Sequence, residues 1–123
     1  MAINEGNRLH DVIAFEMDRH HSRKSIVIAS GQTVVMGQVL GVVSASGEYA
    51  AFDQDASDGT EAAAGIAFAD YDASSGAIDG VAFVRDVQYV DGALTWPGTI
   101  TAGEQAAAEA QLEAVGITKR VEV

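Results

Sequence analysis

No cysteine occurs anywhere in the chain. That excludes disulfide staples, thiolate nucleophiles and cysteine-ligated zinc or iron–sulfur centres. No run of about 18 apolar residues is present, so no helical membrane span is expected. The opening MAINEGNRLHD has no basic start followed by an apolar run, so no secretory signal is expected either. Positive charge is scarce over most of the chain. Residues 25–118 hold a single base, Arg85, against thirteen acids.

What remains is a 123-residue chain with 48% hydrophobic residues and a net charge of −11. That length supports one domain with one core, and the composition is that of a folded domain. An acidic body repels phosphate backbones, so direct nucleic-acid binding is disfavoured. Residues 1–24 differ in kind. Four acids and four bases balance there, and all three histidines (His10, His20, His21) lie in this segment. It reads as an extended arm ahead of a domain over residues 25–123.

The body reads as a series of short strands. Ser25–Ser30 is β-branched, and Thr33–Val35, Val39–Val43 and Glu48–Phe52 follow. Gly31, Gly37, Gly41 and Gly47 fall between these runs, where tight turns favour glycine. After the polar loop Asp53–Gly65 comes a strand over Ile66–Ala69. A second polar excursion, Asp70–Gly80, leads to one long strand over Val81–Val90. Asp91-Gly92 then predicts a hairpin into Ala93–Trp96. TAGEQAAAEAQLEAVG predicts the one clear helix, with Thr101 and Glu104 at capping-box spacing, an alanine-rich interior and Gly116 as its stop. Its Leu112/Val115 face is expected to dock on the sheet. ITKRVEV closes the chain as a strand. Many strands and one late helix predict a mainly β or α+β domain.

No constellation carries recognisable chemistry. A P-loop needs GxxxxGK[ST]; here Gly31 and Gly37 are separated by five residues with no lysine following. A Rossmann turn needs GxGxxG opening a helix, and strands follow instead. VVMGQVLGVV resembles the glycine turn of lipoyl and biotinyl carrier domains, but the only lysines, Lys24 and Lys119, lie outside any apolar hairpin. A barrel-type small-molecule or carrier module therefore stands as the alternative reading. His20-His21 beside Asp18 suggests a metal site, yet neighbours on an extended chain point to opposite faces. DQDASDGTE has Ser57 and Asp58 where an EF-hand loop needs an acid and a glycine. No catalytic residue, cofactor or metal is expected. An enzyme built on His20, His21 and nearby acids is the third possibility.

Taken in order, SGQTVVMGQVLGVV, the DGT of Asp58–Thr60 with Gly65-Ile66 after it, LTWPG of Leu94–Gly98 and the helix end AQLEAVGI resemble the head decoration proteins of tailed bacteriophages. The resemblance covers nearly the whole chain, most clearly Ser25–Ile117. It implies a small barrel-like fold of the β-tulip type and a non-enzymatic, cementing role. It also implies a homotrimer on the outer surface of the expanded head, at local three-fold positions, assembled in the host cytoplasm. The trimer would brace the shell against packaged DNA, with the major capsid protein as partner.

Residues read separately fit that role. Leu9, Val12, Ile13 and Phe15 could add a strand to an exposed capsid edge, flanked by Ile3, Asn7 and Arg19. Trp96 beside Pro97 marks a rigid, bulky point suited to a trimer contact, as do His20 and His21.

Overall fold

A computed structural model describes residues 12–120, apart from the Arg19 side chain. Ten strands and two helices follow in the order β1 (Ile13–Glu16), α1 (Arg19–Ser22), β2 (Arg23–Ile28), β3 (Thr33–Val34), β4 (Val39–Val42), β5 (Tyr49–Ala51), β6 (Gly65–Ala67), β7 (Tyr71–Asp72), β8 (Ile78–Phe83), β9 (Val87–Val90), α2 (Ala102–Glu113) and β10 (Ile117–Arg120). The mainly β class and the single long C-terminal helix agree with expectation.

Five strands close a barrel in the order β2-β5-β4-β6-β8. Its longest ladder is antiparallel, from Arg23↔Phe83 to Ile28↔Ile78. Alternation along β2 sends Ile26 and Ile28 inward and leaves Val27 exposed. With Leu40, Ala67 and Ala82 they fill the interior. A second core lies between the barrel, α2 and the sheet β1-β9-β10, built on Phe83, Ile66, Leu112 and Ile117.

Three of the four glycines between the early strands take positive φ. Gly41 does not: it sits within β4. A Cβ there would lie 2.6 Å from Thr60 Cα and 2.8 Å from Thr60 O. Glycine at 41 lets β4 and the Asp58–Thr60 loop touch backbone to backbone.

Four sequence expectations need correction. The strand over Val81–Val90 is two strands in two different sheets, with the break at Asp86, which adopts φ +54. Aspartate tolerates this left-handed conformation better than most residues. The hairpin into Ala93–Trp96 does not form. Asp91-Gly92 does make a tight turn, closed by Ala93 N–H to Val90 O at 3.1 Å. Both edges of β9 are already occupied, by β1 antiparallel and β10 parallel. The chain therefore leaves, and Thr95 bridges Gln38 instead. In α2, Ala108 and Leu112 face the core, while Val115, beyond the helix end, is 42% exposed. The polar excursion Asp70–Gly80 contributes β7 and the start of β8.

The arm expected over residues 1–24 is redrawn as well. Val12 is 1% exposed and packs with Ile13 in the second core, and Arg23 and Lys24 belong to the barrel. The expected arm thus makes contacts with the rest of the chain at these residues. Ile3, Asn7 and Leu9 lie outside the described residues, as do residues 121–123, where the terminal strand was expected to end.

Candidate functional site

Three exposed large hydrophobics, Phe15, Met17 and Val115, lie around the sheet in which β1, β9 and β10 run side by side. β1 runs antiparallel to β9, with an irregular register between Ile13 and Phe15. Ile13 faces the core, whereas Phe15 and Met17 are 56% and 65% exposed. Two backbone hydrogen bonds meet at Asp86: Met17 N–H donates to its carbonyl at 3.1 Å, and its own N–H donates to Val115 O at 3.3 Å. Met17 and Val115, two of the five exposed large hydrophobics among the described residues, thus flank one residue, with Phe15 two positions away on β1. Among the described residues, β1 is an edge strand of its sheet. Such an edge offers unpaired backbone groups to a partner.

Asp86 fastens the segment before the barrel. Its carboxylate lies 2.6 Å from His21 Nε2, and its carbonyl accepts from the buried Ser22 hydroxyl at 3.2 Å. The Arg85 guanidinium donates to His21 O. Glycine is required at 116, where φ is +82 and a Cβ would overlap the Asp86 carboxylate. Asp18 caps α1 by accepting from His20 N–H at 2.8 Å. Arg23 then grips Glu16 through two contacts of 2.7 and 2.9 Å and lies 4.5 Å from the centre of the Phe68 ring.

The expected site residues fall in separate places. Val12 and Ile13 are core. Phe15 is surface. Arg19 lies in α1. His20 lines a groove of about 340 Å³ with Arg23, Lys24 and Phe68, while His21 is committed to Asp86. Trp96 and Pro97 sit elsewhere, on a groove of about 440 Å³ shared with Asp53, Asp58 and Thr99. Trp96 is half-buried, edge-on to Phe52 at 5.8 Å. The histidines and Trp96 are therefore not neighbours within one protomer. Met17, Val115 and Asp86 were not anticipated. Alternation through Phe15-Glu16-Met17 was the available signal for the first of them.

The chemistry on offer is modest. Among the described residues no three His, Asp or Glu side chains gather to hold a metal. Ser22 Oγ is turned to a backbone carbonyl, so His21 and Asp86 have no aligned hydroxyl nucleophile there. The barrel interior is filled by Ile26, Ile28, Leu40, Ala67 and Ala82, and an open groove of about 710 Å³ runs along its outside past Lys24, Tyr49, Tyr71 and Asp79. Hydrogen bonds from Thr60 hold the Asp58 carboxyl below its usual range, and those from Ser74 do the same for Asp72. Burial pushes the Tyr89 phenol up to about 12, helped by Glu109, Asp91 and Glu113. Burial also raises Tyr49, against the opposing pull of Arg85.

No curated protein sequence matches the chain. The sequence model of the family described as Bacteriophage lambda head decoration protein D matches residues 2–117. Because that match spans nearly all of the 123 residues, the chain belongs to the bacteriophage lambda head decoration protein D family.

Proposed function

We propose that this protein decorates the outside of an expanded phage head as a homotrimer at local three-fold positions, cementing the shell against the pressure of packaged DNA. Membership of a head decoration family places it with the capsid.

The observation that carries it is the exposed apolar trio Phe15, Met17 and Val115 beside β1, an edge strand among the described residues. A coat-protein strand laid along β1 would gain backbone hydrogen bonds and cover Phe15 and Met17. Three such contacts on one trimer raise avidity by roughly 10²–10⁴ over a single one. The acidic body, with one base between residues 25 and 118, suits a position outside a DNA-filled shell and would suit the inside poorly. For the subunit contact, the Trp96–Pro97 groove and the His20/His21 turn are two different patches, as a cyclic, head-to-tail trimer requires.

Co-sedimentation with expanded heads tests the reading. Phe15→Asp and Met17→Asp leave the core untouched and are expected to abolish binding while the trimer persists in light scattering. Unchanged binding by both variants would reject the contact surface. A wild-type monomer on the head would reject the trimer.

A further inference from the structure

The chain contains three Asp-Gly steps, at 58–59, 79–80 and 91–92. Such steps can rearrange spontaneously. The backbone nitrogen of the glycine attacks the protonated side-chain carboxyl and water is expelled, closing a cyclic imide. Water then reopens the ring. Opening at one carbonyl restores aspartate; opening at the other leaves the main chain running through the former side chain as isoaspartate. One water leaves and one returns, so no co-reactant is needed. The rate depends on a free carboxyl, a free glycine N–H and backbone able to move.

Two of the steps are blocked. Asp58 Oδ1 accepts from Thr60 N–H at 3.0 Å and from Thr60 Oγ1 at 2.6 Å, and Gly59 N–H donates to Glu61 at 2.8 Å. Asp79-Gly80 lies within β8, paired with Val27 and Ile26, and the Tyr71 ring would stand 3.1 Å from a Cβ on Gly80. Asp91-Gly92 is different. Its carboxylate is 67% exposed, and its one ionic contact among the described residues, to Lys119 Nζ, is long at 3.8 Å. Gly92 is exposed, has φ +82 with nothing within 4 Å of a Cβ position, and its N–H has no partner among the described residues.

We propose that Asp91-Gly92 is a built-in modification site, converting to isoaspartate as the protein ages. The added main-chain methylene would fall directly after β9, the strand that holds both β1 and β10. To test this, the full chain is aged in mildly acidic buffer made with heavy-oxygen water, and its peptides are mapped by mass spectrometry. A protein isoaspartate methyltransferase reports the rearranged linkage. Heavy oxygen and methyl acceptance are expected in the peptide holding Asp91, and both are lost in Asp91→Glu, whose longer side chain disfavours the ring. Label at Asp58 or Asp79 to the same extent, or none at Asp91, would overturn the proposal.

Discussion

Arg23 closes on Glu16 with both its Nε and Nη2, at 2.7 and 2.9 Å, tying the barrel strand β2 to the edge strand β1. The two side chains are only 26% and 17% exposed. The pair holds the segment carrying Phe15 and Met17 in place, so structure and proposed contact surface are coupled through it.

Glu16→Ala leaves that guanidinium half-buried without its carboxylate. Removing one partner of a charge-assisted bond costs about 1–3 kcal/mol. Urea unfolding should register that loss, and Arg23→Lys should lose part of it because lysine cannot grip in two places. Stability unchanged in Glu16→Ala would mean that the pair does not anchor β1.

Gly41→Ala tests the close approach of β4 to Thr60. The new Cβ would sit 2.6 Å from Thr60 Cα and 3.0 Å from Ala62 O, both backbone atoms that cannot swing aside. Forced overpacking typically costs about 1–3 kcal/mol. Gly98→Ala is the control: nothing lies within 4 Å of its Cβ position, and its change should stay within about 0.5 kcal/mol. Thermal or urea unfolding of the two variants distinguishes them.

Thr101→Ala should weaken the start of α2. Thr101 Oγ1 accepts from Glu104 N–H at 3.1 Å, and Glu104 Oε1 accepts from Thr101 N–H at 2.9 Å. Loss of such a cap costs about 1 kcal/mol. The helix lacks a basic residue in its last turn. Glu104→Ala should cost little more when added to Thr101→Ala, since the two act as one unit.

Tyr89 predicts an alkaline limit. Its phenol is raised from 10.0 to about 12 in the folded chain, mainly by burial. Between those values the folded chain holds a proton that the unfolded chain has released. Stability is therefore full below about pH 10 and declines as pH rises toward 12, by an amount on the order of 1–3 kcal/mol. Tyr89→Phe should flatten this decline in denaturant titrations across that range. An equally steep decline in the variant would assign it elsewhere.

Much of the body was legible in the sequence. β2 to β4 follow from β-branched and apolar runs punctuated by glycine, β5 and β6 from short apolar stretches bounded by glycine and polar loops, and α2 from the Thr101/Glu104 pair. What escaped was set by partners distant in the chain. Asp86 breaks an unremarkable apolar run because β8 and β9 belong to different sheets. Val12 and Ile13 read as free arm residues, since nothing nearby reveals that β9 would bury them. Phe15 was legible as a candidate contact residue; that Met17 and Val115 would join it depended on Asp86 binding both backbones.

Cryo-electron microscopy of expanded heads saturated with this protein tests the central claim most directly. The account predicts three-fold density on the outer surface, with Phe15, Met17 and Val115 turned toward the coat and the acidic loops toward solvent. Bare three-fold positions, or trimers resting on their acidic loops with Phe15 facing outward, would contradict it.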